Sequence, residues 1–146
     1  MQVQDVMSRD VATVSPEQTV QTAAKMMDDL DIGALPVREN DRLVGMITDR
    51  DIAVRGLAQG KGPQTKIREL MTPEVKYCFV DQELDEISAN MADLQVRRLP
   101  VVNRDKRLVG ILALSDIAVS DSQEQAAEAL CGISRPTNGG LQVPLY

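Results

Sequence analysis

One stretch of this chain is used twice. Leu43 to Ile52 reads Leu-Val-Gly-Met-Ile-Thr-Asp-Arg-Asp-Ile, and Leu108 to Ile117 reads Leu-Val-Gly-Ile-Leu-Ala-Leu-Ser-Asp-Ile. Each copy is an apolar run broken by one glycine (Gly45, Gly110). Each then passes a small or polar residue (Thr48, Ala113) and reaches an aspartate three positions on (Asp51, Asp116). A short apolar run that changes into a polar, capping pattern is a strand feeding a helix. The repetition extends along the chain. At an offset of 64, Met7 falls on Met71, Val11 on Val75, Gln18 on Gln82, Met27 on Met91 and Leu35-Pro36-Val37 on Leu99-Pro100-Val101. One inserted residue then moves the offset to 65, which aligns Arg42 to Gly45 with Arg107 to Gly110, and Asp51 to Val54 with Asp116 to Val119. Any fold for this chain has to accommodate two copies of one unit.

Within the first copy, Val11 to Val14 reads as a short strand that stops at Ser15-Pro16-Glu17-Gln18. There Ser15 is placed to cap, Pro16 to occupy the first helical position and Gln18 to complete a capping box. Val20, Ala23, Ala24, Met27 and Leu30 follow at helical spacing, and Gly33 is placed to end that helix in a left-handed cap. Leu35 to Val37 and Leu43 to Ile47 read as strands joined through Glu39-Asn40-Asp41, and a second helix is predicted from about Asp49 to Ala58. The second copy repeats the order: a strand around Tyr77 to Val80, a helix from Asp81 to Leu94, strands Leu99 to Val102 and Leu108 to Leu112, and a helix from Ser115. Its helix face is Leu84, Ile87, Ser88, Met91 and Leu94. Ser122 is placed to cap a short Ala-rich helix through Leu130, and Ile133 to Tyr146 shows no periodicity, as in a tail loosely held or packed on a neighbour.

The division is therefore repeat 1 at 3–58, a linker at 59–66 rich in helix breakers, repeat 2 at 67–121, and a short helix with an irregular tail at 122–146. The fold class is α/β (α+β), two tandem β-α-β-β-α repeats. Each repeat is too small to bury its own sheet, so the two are expected to pack sheet to sheet with pseudo-two-fold symmetry. That arrangement leaves two equivalent clefts where strand ends meet the starts of the closing helices.

Composition excludes several function classes. Sixteen Lys and Arg against 22 Asp and Glu give a net charge of −6, and no basic run is longer than Arg97-Arg98, a poor match to duplex nucleic acid. There is no histidine, and the only cysteines are Cys78 and Cys131, so the spacing of a zinc site is absent, no metal is expected and both read as reduced core thiols. Missing too are an apolar run long enough to span a membrane, a signal-peptide pattern and a Gly-x-x-x-x-Gly-Lys loop. A cytoplasmic protein that is not an enzyme is expected.

Asp51 is the best candidate for chemistry. A carboxylate fixed at a helix start can accept two neighbouring hydroxyls in charge-assisted hydrogen bonds. Thr48 can offer its hydroxyl beside it, and the free N–H groups of the helix favour an anion. Thr48-Asp49-Arg50-Asp51 is equally a capping box, with Thr48 as N-cap. Arg50, Arg97 and Arg98 are the candidates for phosphate, since guanidinium forks match phosphate oxygens. Cys78, inside a predicted strand with no histidine anywhere, is not expected to be a nucleophile.

These residues resemble a stand-alone pair of cystathionine-beta-synthase (CBS) domains, a Bateman module. The resemblance covers about Val3 to Ser120. It is carried by Asp5-Val6-Met7-Ser8 and Glu69-Leu70-Met71-Thr72 before each unit, by Gly33-Ala34-Leu35-Pro36-Val37 and Arg97-Arg98-Leu99-Pro100-Val101 within them, and by the two Gly-x-x-x-x-x-Asp ends. It implies a module that usually dimerises and binds an adenosine ligand (AMP, ATP, S-adenosylmethionine or NADH), with no cofactor required. It assigns the ribose and phosphate roles to Thr48 and Asp51. It places an adenine slot at Thr13, Val14, Ile32, Ala34 and Pro36, with Tyr77, Cys78, Val96, Arg98 and Pro100 as the second-copy equivalents. Ala113 and Asp116 complete that second site with Arg97.

The function implied is regulatory: an adenine nucleotide alters how modules, or the module and an unidentified protein partner, associate. The alternative is a structural dimerisation module with degenerate sites. A homodimer is expected through helix faces carrying Ala23, Met26, Met27 and Leu30, and Ile87, Met91 and Leu94, left partly covered within one chain. The two sites are expected to be unequal. Ala113 lacks the hydroxyl of Thr48, and Ser115 lies two positions on, roughly 200° around the helix.

Overall fold

The structure is a computed structural model and describes residues 1–120, 123–137 and 140–141. It is a mixed α/β chain in two compact units. One is Ala12–Val75; the other is Met1–Val11 together with the chain from Lys76 on. The packing units are thus offset from the sequence repeats, because each repeat's leading segment sits in the other unit.

In the first unit, helix α1 (Val20–Leu30) is followed by antiparallel strands β1 (Ala34–Glu39) and β2 (Arg42–Thr48), a closing helix, and helix α2 (Ile67–Leu70). Asn40 and Asp41 turn the hairpin with φ of 52° and 64°, the left-handed region that Asn and Asp tolerate. Val20, Ala23 and Met27 of α1 pack with Leu35, Val37, Ile47, Ile67, Leu70 and Met71 as the core. Ala23 is wholly buried, and with no side chain beyond Cβ it lets the helix lie close on the sheet. Thr72 exchanges two backbone hydrogen bonds with Met46, at 2.8 and 3.0 Å.

The second unit repeats this with β3 (Cys78–Phe79), α3 (Leu84–Leu94), β4 (Arg98–Val102), β5 (Leu108–Ala113) and α4 (Leu114–Val119). β3 runs parallel to β4, and β4 antiparallel to β5. Here the segment edging β5 comes from the chain's start: Ser8 and Ile111 exchange hydrogen bonds of 2.9 Å, the equivalents of Thr72 and Met46. A short 3₁₀ turn, Val3–Asp5, buries Val3 completely. Gly110 gives Met7 the room it needs, since a Cβ there would lie 2.7 Å from Met7 Sδ and 2.8 Å from the Ser8 carbonyl oxygen. After α4 the unit adds α5 (Gln123–Ile133) and the paired β6 (Pro136–Thr137) and β7 (Gly140–Leu141).

Several local expectations are corrected. Val11 to Val14 is not a strand; only Val14 makes a parallel bridge, to Val37. The first helix starts at Val20 with Thr19 as its cap, Thr22 N donating to Thr19 Oγ1 at 3.3 Å. Ser15 to Gln18 is instead a self-closed turn. Its carbonyls are taken by α2, with Arg68 N donating to Pro16 O and Ile67 N to Gln18 O, so that backbone is not free to wind into α1. Asp31, not Gly33, carries the left-handed cap, with φ of 54°. The closing helix is π-wound over Asp51–Gly56 and 3₁₀ over Leu57–Gln59. In the second copy the helix begins at Leu84 rather than Asp81, and α5 runs three residues past Leu130.

The proposed cap at Ser122 lies outside the described residues, as do Asn138, Gly139 and 142–146 of the tail. Cys78 is buried but Cys131 is exposed, so only the first is a core thiol. Of the faces expected to remain partly covered, Ala23, Met27, Ile87 and Met91 are core, Met26 is half-buried, and Leu30 and Leu94 are exposed.

Candidate functional site

Thr48 closes β2, and Asp51 stands one turn into the segment that follows. Thr48 N donates to Asp51 Oδ2 at 3.0 Å, and Asp51 N donates to Thr48 Oγ1 at 3.1 Å. The capping box predicted as an alternative is therefore formed, with both residues over nine-tenths buried. Arg55 Nη1 approaches Asp51 Oδ1 to 3.8 Å. Arg55 was not among the residues singled out from the sequence. Its signal was the spacing of four from Asp51 on a helix, the distance at which opposite charges meet. The π winding begins at Asp51, a departure from α-geometry that recurs at functional positions.

Around this box the hairpin register assembles the other first-site residues. Ala34 lies opposite Thr48, and Pro36 opposite Met46. Val14 is attached beside them, its N–H donating to Pro36 O at 3.1 Å and its carbonyl accepting from Arg38 N at 2.8 Å; Thr13 is the residue before it. Asp49 N donates to Gly33 O at 2.9 Å, tying the start of the closing helix to the loop that carries Ile32. A Cβ at Gly33 would lie 3.0 Å from Asp49 Oδ2, at the far end of that side chain. Ile32 is exposed, while Val14, Ala34 and Pro36 are buried. Arg50 is exposed, and its N–H donates to Asp49 Oδ1 at 2.8 Å.

The second site has the same frame with different fittings. Ala113 N donates to Asp116 Oδ2 at 2.8 Å, but Ala113 has no hydroxyl to return a bond. Arg98 stands opposite Ala113, and Leu114 N donates to Arg97 O at 2.8 Å, as Asp49 does to Gly33. Arg97 is exposed and Arg98 half-buried. Val96, the equivalent of exposed Ile32, is wholly buried, and neighbouring Gln95 is held by the carbonyls of Gly132 and Arg135 at 3.2 and 3.1 Å. Pro100 is buried, and its carbonyl lies 3.8 Å from Cys78 Sγ. Burial pushes the Cys78 thiol up to about 12, the opposite of what an attacking thiolate requires. Tyr77 is exposed and meets Phe79 edge-on at 5.7 Å. Among the described residues no group of three His, Cys, Asp or Glu side chains could hold a metal ion, and no helix is long and apolar enough to cross a membrane.

The chain is similar to known proteins in sequence and fold. The chain is 48% identical over 133 residues to the CBS domain-containing protein YhcV of Bacillus subtilis, covering 90% of this chain and 94% of that one. The crystal structure of hypoxic response protein I, which contains two coordinated zinc ions, is similar at 41% identity and a TM-score of 0.74, over 81% of this chain and 97% of that one. A CBS domain pair crystallised with 5′-methylthioadenosine and S-adenosyl-L-methionine is similar at 32% identity and a TM-score of 0.72, over 81% of this chain and 93% of that one. The CBS domain family model matches residues 3–56 and again 67–122. With two copies of that domain in register, the chain belongs to the CBS domain family.

Proposed function

We propose that this protein is a non-enzymatic sensor of an adenosine-containing ligand, and that occupancy of its first site changes how copies of the chain associate. The observation that carries this is the Thr48–Asp51 pair. A carboxylate already buried and oriented by its own box has lost its freedom to rotate, and its Oδ1 lies 3.8 Å from Arg55 Nη1. A preoriented acceptor costs little entropy when two hydroxyls of a ribose bind. Ile32 adds an exposed apolar side chain on the loop tied to Asp49, and the CBS pair seen with two adenosine compounds supplies the ligand class.

The same box also fits a purely structural role, a degenerate module that associates without ligand, because Thr48 and Asp51 satisfy each other. A thermal-shift series with AMP, ATP, S-adenosylmethionine and NADH separates the two. A ligand at 100 times its dissociation constant adds about 2.7 kcal/mol to stability and raises the melting temperature. The expected outcome is a shift with at least one of the four; no shift with any of them leaves the structural role.

A further inference from the structure

The carboxylate of the first site is shared between two neighbours. Asp51 Oδ2 takes the N–H of Thr48, and the other oxygen, Oδ1, pairs with Arg55 Nη1 at 3.8 Å. Asp51 is buried and held by its box, whereas the Arg55 side chain is 48% exposed, so the pair joins a fixed anion to a cation with room to move. An ion pair of this length and exposure contributes little to stability and is broken at little cost. The second site has no such pair. At the offset of 65, Arg55 falls on Ser120, an uncharged residue whose Oγ donates to Ile117 O at 2.6 Å. The arginines of that site, Arg97 and Arg98, stand instead at the entrance to β4.

We propose that Arg55 sets the specificity of the first site, so that it takes adenosine 5′-phosphates in preference to adenosine compounds with no anion at the 5′ carbon. The inference rests on reading that site as an adenosine site and names the ligand class it selects. In adenosine the base and the 5′ group leave the ribose from opposite ends, at C1′ and C4′, with the two hydroxyls between them. The slot residues lie on the strand side of Asp51, since Ala34 is opposite Thr48 and Pro36 opposite Met46; Arg55 lies four residues beyond Asp51, on the helix side. With the base in the slot and the hydroxyls on Asp51, the 5′ group is directed to the Arg55 side. The hydroxyls take Oδ1 and displace the guanidinium. A 5′-phosphate then receives it in forked, charge-assisted bonds, which a guanidinium suits. An uncharged or sulfonium 5′ group offers no such partner, and Arg55 goes on competing with the hydroxyls for Oδ1.

Calorimetry with AMP and 5′-methylthioadenosine, which differ only in the 5′ group, tests this on the full chain carrying Asp116→Ala, so that the first site alone is read. AMP should bind at least about tenfold more tightly than 5′-methylthioadenosine. Adding Arg55→Ala should weaken AMP by about tenfold to a hundredfold, the loss of a charge-assisted hydrogen bond, and leave 5′-methylthioadenosine unchanged or tighter. Arg55→Lys, which keeps the charge without the fork, should fall between. Unchanged far-UV circular dichroism verifies that the variants fold. Arg55→Ala that weakens both compounds equally reduces Arg55 to a positioning residue for Asp51 and overturns the proposal. So does AMP affinity that Arg55→Ala leaves unchanged, or equal affinity for the two compounds before Arg55 is altered. Each of these leaves the adenosine site standing. Binding of neither compound overturns the proposal, and if ATP, S-adenosylmethionine and NADH also fail with the wild-type chain, the adenosine reading falls with it.

Discussion

Removing residues 1–8 should destabilise the protein by about 3–6 kcal/mol, a large share of the 5–15 kcal/mol that holds a domain of this kind together. The segment buries Val3 completely and Met7 to 8% exposure, each contributing about 1.5–3 kcal/mol by area. Its backbone is also built into the second unit. Val3 N donates to Gln82 O, Gln4 N to Val80 O, Leu84 N to Met1 O, and Ser8 pairs with Ile111. Deletion therefore leaves one edge of β5 without its neighbour. Hydrogen exchange should report the loss in β4 and β5 rather than in β1 and β2, although in sequence the segment heads the first repeat. Gly110→Ala should reproduce part of the effect, about 1–3 kcal/mol, because its Cβ meets backbone at Ser8 that cannot rotate away. Protection lost chiefly from β1 and β2 would show that the segment belongs with the first unit after all.

Asp51→Ala should weaken adenosine-ligand binding at the first site by about 2–4 kcal/mol, roughly thirtyfold to a thousandfold, while lowering stability by only about 1 kcal/mol. The two numbers differ because the proposed function gives the side chain two jobs. As a cap, Oδ2 satisfies one backbone N–H of Thr48, an ordinary cap contribution. As the ligand acceptor we propose, it would make charge-assisted bonds to groups that lose water when they bind, and an unpaired hydroxyl left in the site would add to the loss. Asp51→Asn separates the jobs further, since the amide oxygen still accepts from Thr48 N but the charge is gone. It should keep most of the stability and lose most of the affinity. Lowered stability with unchanged affinity would assign Asp51 to the structural role alone.

The parts of the fold visible in the sequence were those set by local pattern. β1, β2, β4 and β5 follow from apolar runs around turn residues, and the two aspartates follow from a repeat that places them identically. What escaped was set by partners distant in the chain. Ser15-Pro16-Glu17-Gln18 has every local mark of a helix start, yet its carbonyls are claimed by Ile67 and Arg68 and its Glu17 by Lys66 and Arg68, whose charges and hydrogen bonds hold that carboxyl below its usual range. Gly33 looked like a helix cap and is instead the point where Asp49 comes close, a contact across the hairpin that periodicity does not carry. The exchange of leading segments between units is also invisible to a repeat alignment, because Met7 and Met71 match each other whichever sheet they cover. At the first site the box itself was legible as Thr-x-x-Asp. The burial of Val96 against the exposure of Ile32 was not, since it depends on how α5 seats beside Gln95.

That contrast sharpens the expectation that the sites differ. The first has the Thr48 hydroxyl, the buried and oriented carboxylate of Asp51, and an exposed Ile32; the second has Ala113, a less buried Asp116, and Val96 withdrawn into the core. Isothermal titration calorimetry on wild type, Asp51→Ala and Asp116→Ala, with whichever adenosine ligand raises the melting temperature most, tests this directly. The tighter phase should survive Asp116→Ala unchanged and vanish in Asp51→Ala. A tighter phase that vanishes in Asp116→Ala and persists in Asp51→Ala would contradict the assignment of the ligand to the first site.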